Sequence, residues 1–338
     1  MATLRPGNRI RLRGMSLIEL MVALGIGMFL IIGALTVFAQ SRATYALNES
    51  VARLQEASRY FFDVVEPDIR MAHYWGLTTE TSLIDGRAQA QHAQSPLSPA
   101  NDCGRNWTVN LDLAVAGSNN GYVFSCPAYG SAAASADTLV VRRASTAPVT
   151  APAANTLYIA SSRADGAVVF EGPASPEDFS AAVSATHELI VNGYYVSRNS
   201  SLDSPGNPVP SLRRKHLRNG GATGPAIVDE EVLPGVEDMQ IEFGIDTDSE
   251  GATGFGVVDR YLGPDEPLLD PSHAAFDEHA RILAVRVWLR LRSERPEPGV
   301  AETAGYSYAD QTTAAFNDGY RRIVVSKTIY LRNAGSSS

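Results

Sequence analysis

The chain has 338 residues, 44% of them hydrophobic and 19% charged, enough for a sizeable core in one large domain or two modest ones. Its net charge of −9 is uneven: residues 1–14 hold four arginines and no acid, and without them 24 Lys and Arg face 37 Asp and Glu, a net −13. That acidic balance argues against general nucleic-acid binding, which needs Lys and Arg to neutralise phosphates, so no specific nucleic acid is expected as a partner. Two cysteines, Cys103 and Cys126, are too few for a disulfide framework but suit one bridge in an oxidising compartment.

After the arginines comes an apolar block. From Leu20 to Ala39 the only polar side chain is Thr36. A helix of about 20 residues spans roughly 30 Å, the thickness of a bilayer's hydrocarbon core. Arginines ahead of it place the N-terminus in the cytoplasm and send the remainder across. A signal peptide cut after the block, an uncut anchor, and a precursor cut before the block all fit this outline. The block is longer than the ~7–15 residues of a signal peptide's apolar region. Counted from Met15, the apolar stretch also contains Glu19, four residues after its start, where a carboxylate is costly and so implies a purpose.

Arg13-Gly-Met-Ser-Leu-Ile-Glu-Leu-Met21 resembles the leader junction of type IV pilins and type II secretion pseudopilins. The resemblance implies cleavage after Gly14 by a prepilin peptidase, methylation of the new N-terminus at Met15, and a role for Glu19 in subunit assembly. Met15 departs from the usual Phe. The exposed amine of Met15 would be largely cationic at neutral pH, and Glu19 of one subunit can pair with it on a neighbour, setting register more than stability. Glu19 in the first turn also suits the helix dipole. Gly25, Gly27 and Gly33 each weaken the helix by roughly 1 kcal/mol relative to Ala but permit close packing in a membrane or filament core.

Beyond the apolar block, Leu47, Val51, Leu54, Ser58, Phe61, Val65, Ile69 and Ala72 recur at helical spacing, predicting an amphipathic continuation that packs on a following sheet. Pro67 is expected to kink or end it. The segment Asp68–Leu77 resembles the helix end of PilW-type minor pilins and J-type pseudopilins, with His73 in place of a Gly and Leu77 in place of a Cys. His73 is expected to be a surface or packing residue. The disulfide that would start at position 77 cannot form, which leaves Cys103 and Cys126 as a separate local bridge.

Residues 78–135 look irregular. Strands are predicted at 138–143, 156–161, 167–171 and 187–198, then at Met239–Ile245, Val285–Arg292 and Ile323–Leu331, where apolar and polar residues alternate. Lys327 interrupts the last. A helix followed by many strands gives an α+β class, and with the leader a type IV pilin-like fold: a long N-terminal helix packed on an antiparallel sheet. Leu233–Asp248, with its Gly-Val-Glu-Asp, and Asp318-Gly-Tyr-Arg-Arg322 with Leu331-Arg-Asn333 resemble PilW-like proteins. The expected organisation is a cleaved leader (1–14), a membrane and filament-core helix (15–39), its amphipathic continuation (40–77), a β-rich exported domain (78–333) and a tail (334–338).

Little points to chemistry. Asp246-Thr-Asp-Ser-Glu-Gly251 resembles the start of a calcium loop, with Asp246, Asp248, Glu250 and Asp259 as the carboxylates, although the twelfth position is Val257; a solvated turn uses the same residues. No other cofactor is expected. The six histidines fit no zinc spacing, and there is no P-loop or nucleophile elbow, so no enzyme is expected. The basic run Leu212–Arg218 predicts a charged strand face or a contact with an acidic neighbour. Arg286, Arg290 and Arg292 are expected to face solvent, with Trp288 open to a partner.

The resemblance implies a minor pilin that helps start a type IV pilus. Its partners would be the prepilin peptidase, other minor pilins, the major pilin, a PilY-type tip adhesin and the inner-membrane assembly platform. It would sit first in the inner membrane and then in the pilus. A J-type pseudopilin and a membrane-anchored periplasmic binding protein are the alternatives.

Overall fold

The computed structural model describes residues 14–179, 182–270, 273–297, 299–301 and 303–334. The leader residues 1–13 and the tail residues 335–338 lie outside the described residues. The chain divides into two units between Arg53 and Leu54.

The first unit is the free part of helix α1 (Leu17–Arg70), one uninterrupted element. Its residues up to Phe38 are almost all exposed apolar side chains, and it is long and apolar enough to cross a membrane. Pro67 does not stop the helix at once. It falls in the last turn, where Met71 N–H still bonds its carbonyl, and the helix ends three residues later at Arg70. Residues 71–77, expected as helix, form a turn and an irregular segment instead.

The second unit is built on two sheets. The first contains β1 (Ile84–Asp85), β2 (Val115–Ser118), β3 (Thr138–Pro148), β4 (Leu157–Ser162), β5 (Gly166–Glu171), β6 (Ser184–Ser197), β7 (Ser211–Arg218) and β8 (Ala226–Pro234). Its order is β1-β5-β4-β6-β3-β2, with the β7–β8 hairpin joined to the second half of the long β6. All pairings are antiparallel except β1 with β5. The second sheet has the order β10-β9-β11-β14, from β9 (Val236–Asp246), β10 (Arg260–Leu262), β11 (Arg281–Arg292) and β14 (Arg322–Tyr330). Between them in sequence, β12 (Tyr306–Tyr308) and β13 (Gln311–Thr313) form a small hairpin.

Two cores follow. Leu54, Phe61, Val65 and Ile69 of α1 pack with Leu139, Val141, Tyr194 and Val196 of the first sheet and with the alternate residues Met239–Ile245 and Val285–Leu291 of the second. At the ~25 cal/mol per Å² cost of exposed apolar surface, this is the burial the amphipathic stripe demanded. The other face of the first sheet is covered by the irregular segment 78–135, through Leu111, Phe124 and the two cysteines, together with Trp75 just ahead of it. Asn106 holds that segment together from inside, donating to the carbonyls of Gln89 and Ala93 and accepting from Ser95 N–H.

Candidate assembly site

The helix begins on a capping box. Ser16 stands before the first helical residue; its Oγ accepts the Glu19 N–H at 3.2 Å, while a Glu19 carboxylate oxygen accepts the Ser16 N–H at 3.4 Å. Two donors otherwise left bare at a helix start are thus satisfied. The Ser-x-x-Glu pattern was present in the sequence, but reading Glu19 only as a partner for a neighbour passed over Ser16. Gly14 and Met15 precede the helix and are exposed. A Cβ added at Gly14, Gly25, Gly27 or Gly33 meets nothing within 4 Å, so no contact among the described residues requires glycine at these positions.

At its other end α1 is pinned by a buried carboxylate that sequence reading missed. Asp68 is 5% exposed. Its Oδ1 accepts Arg143 Nε at 2.9 Å and Nη2 at 2.7 Å; its Oδ2 accepts Tyr194 Oη at 2.6 Å and the Asn192 amide. Burial first, and then the Asp68 charge, raise the Tyr194 phenol well above its ordinary range, so it stays a donor. Asp68 falls on the buried stripe, three residues after Val65 and next to Ile69. An acid at such a position was the available signal. Nearby, Lys327 of β14 pairs with Glu66 of α1 at 2.5 Å, so the residue that broke the strand pattern serves the helix.

The two C-terminal sequence signatures meet in space. Glu237 accepts Arg322 Nε at 2.7 Å and Nη2 at 2.9 Å, and Arg290 Nε at 3.0 Å. Arg322 also holds Asp318 at 2.6 Å, which keeps that carboxyl down at about 2. Tyr308 Oη donates to Asp238 at 2.6 Å and receives Arg290 Nη1 at 2.9 Å. Phe316 and Tyr320 stack on Arg322 and Arg292 at 4.0 Å each. The arginine stripe therefore does not face solvent as expected: Arg290 is 6% exposed, because the segment after β11 folds back over it. Trp288, half-buried, is packed under Arg286.

The basic run on β7 finds its acids inside the chain. Arg213 pairs with Asp229 and Glu231, Arg214 with Glu230, and Lys215 with Asp229, all on β8. Cys103 and Cys126 are joined, closing the loop that packs on Trp107, Tyr122 and Phe124. His73 is in the left-handed backbone region, with φ 62°, where the family pattern has a Gly, and burial lowers its pKa to about 4.

Of the four carboxylates in the suspected calcium loop, Asp246, Asp248 and Asp259 offer oxygens within 4.8 Å of one another, and Glu250 is not among them. Two of them already have partners. Arg281 pairs with the buried Asp246, Gly256 N–H donates to it at 2.7 Å, and Thr247 donates to Asp259 from both N–H and Oγ1 at 2.8 Å.

Comparison with known proteins agrees with this geometry. The family model described as Type IV Pilus-assembly protein W matches residues 193–333, which span both signature segments. The chain is of α+β class, with one apolar helix suited to a single-pass anchor and a separate C-terminal domain. Over that C-terminal stretch it is PilW-like. No curated protein matches it. Among solved structures, the type IV-like pilin TTHA1219 from Thermus thermophilus aligns at 14% identity over 84% of this chain and 98% of its own, with a TM-score of 0.37, too low to add weight.

Proposed function

We propose that the protein is a non-catalytic minor pilin that helps start a type IV pilus. The supporting observation is the junction at Gly14. This glycine has open space around it, so nothing among the described residues calls for it; a peptidase that must reach the bond after it would. Cleavage there leaves Met15 as a cationic N-terminus for methylation, one residue before the helix cap. The capping box keeps the Glu19 carboxylate exposed and fixed in orientation, ready for the Met15 amine of a neighbouring pilin. The exposed apolar helix then serves twice, as an inner-membrane anchor and as packing in the filament, where its three open glycines admit close neighbours. The β-rich domain offers its surfaces to other minor pilins, the major pilin, the assembly platform and a tip adhesin.

The test combines processing and assembly. Gly14→Leu is expected to leave the precursor at full length and the cells with few surface pili. Normal shortening of that variant, or normal piliation in a strain lacking the gene, refutes the reading.

A further inference from the structure

Strand β14 forms one side of the second sheet and pairs only with β11. Leu331 N–H donates to the Leu283 carbonyl, which fixes the alternation: odd residues bond β11, while the N–H and C=O groups of Val324, Ser326, Thr328 and Tyr330 point away. Arg332 continues the outward row, and its N–H is taken by the Arg70 carbonyl at the end of α1. Ahead of Arg332 the row has no partner among the described residues. It is also accessible: Tyr330 is 60% exposed, and Ser326 and Lys327 are exposed. The β2 side of the first sheet differs, because Val115 is buried and the loop with Pro264 lies against Gly117. A bare, accessible row is a template for another strand.

Charge selects what can add to this row. On the helix side of the sheet Glu66 is one acid shared by two cations, Lys327 at 2.5 Å and Arg70 at 2.7 Å. Both cations stay accessible, with side chains 44% and 57% exposed, and the hydrogen bond from Lys327 holds the Glu66 carboxyl below the usual carboxylate range. Arg332, whose backbone meets Arg70, is exposed and has no ion pair among the described residues. Arg59 and Asp63, earlier on α1, cancel in charge, and on the other face of the sheet Arg286 is matched by Glu242. Three cations thus stand against one acid along this edge, in a chain that is acidic as a whole. A second copy of β14 would bring the same cations to the seam, so the edge disfavours pairing with itself, as edge lysines commonly do.

We infer that β14 takes an extended acidic segment of another protein, which adds as a strand through Val324, Ser326 and Thr328 and sets its Asp or Glu side chains against Lys327 and Arg70, with Arg332 at the end of the row. Its alternate residues fall on the opposite face, beside Val324 and Tyr330. The inference goes beyond pilus assembly and does not depend on it, since the test uses isolated protein.

Full-length protein in detergent micelles is mixed with acetylated Glu-Val-Glu-Val-Glu-Val amide, and amide exchange is followed residue by residue. The expected result is at least about tenfold slower exchange at Ser326 and Thr328, with saturable binding about tenfold tighter than that of the Lys-Val counterpart. Affinity should fall about fivefold in Arg332→Gln, a change that breaks no ion pair among the described residues, and again in the double variant with Lys327→Gln. Unchanged exchange at both amides overturns the inference. So does equal binding of the Lys-Val peptide, full affinity in the double variant, or binding that survives methylation of every peptide nitrogen. Protection that grows with protein concentration in the absence of peptide would assign the edge to a second copy of this chain and equally overturn it.

Discussion

Asp137 and Asp318 are two carboxyls held in opposite senses, and together they shape the pH dependence of folding. Asp318 is depressed to about 2 by hydrogen bonds from Arg322. Its contribution is present above the ordinary carboxylate range near 4 and is lost as pH falls towards 2. Asp137 is buried, accepts N–H groups from Asn120 and Ile241, and is raised to about 7 by burial, with Asp310 and Asp238 adding repulsion. A raised pKa works the other way: its contribution is full below about 4 and is lost as pH rises through 7. Stability measured by urea titration should therefore peak near pH 4. Asp137→Asn should flatten the decline between about pH 4 and 7 and leave the acid limb in place. Asp68 is a separate case. Asp68→Ala strands Arg143, Tyr194 and Asn192 in the interior and should cost about 3–5 kcal/mol, read from the urea midpoint. With Arg281 already supplying positive charge at Asp246, millimolar calcium should leave the melting temperature unchanged; a saturable rise would instead assign the loop a metal. Neither Asp68 nor Asp137 stood out in the sequence, and Asp318 did so only as part of a motif. Asp137 depends on Ile241, about 100 residues away, whereas Asp318 has its partner Arg322 four residues on.

At the scale of elements, α1 is two helices in one. Residues Leu54–Arg70 are docked by a buried stripe, whereas the part before them has no core in this chain. Amide exchange in detergent should reveal this, with protection of 54–70 tied to global unfolding and the earlier turns dependent on the micelle. The irregular cover over the first sheet rests on the Cys103–Cys126 link. Replacing both cysteines with Ser should lower stability by roughly 3 kcal/mol, mainly by freeing the unfolded chain. Period-two patterns revealed β9, β11 and β14, while β3 and β6, buried on both faces of the first sheet, were legible as apolar, β-branched stretches. Neither signal revealed β8, whose Asp229, Glu230 and Glu231 are strand residues because Lys215, Arg214 and Arg213 lie across from them in register. The cover itself has no period to read, because side chains such as Asn106 and Arg142 fix it by bonding to carbonyls.

Over the whole molecule, the segments that resembled PilW prove to be one structural joint. Glu237 at the start of β9 and Arg322 at the start of β14 close the second sheet from both ends of its sequence, with the β12–β13 hairpin folded between them. Arg322→Lys keeps the charge but loses the two-pronged grip on Glu237 and Asp318, so it should destabilise the domain more than Arg214→Lys on β7, whose partner Glu230 is half-exposed. Comparing their urea midpoints checks this. The pin at Asp68 has a mechanical consequence. A pull along α1 reaches the domain through the helix's last turns, and there a single carboxylate grips Arg143 on β3 and both Asn192 and Tyr194 on β6. These are adjacent central strands, so the load spreads into the middle of the sheet instead of peeling it from an edge. A tether built in this way should hold the domain to its helix under tension for as long as the first sheet itself survives.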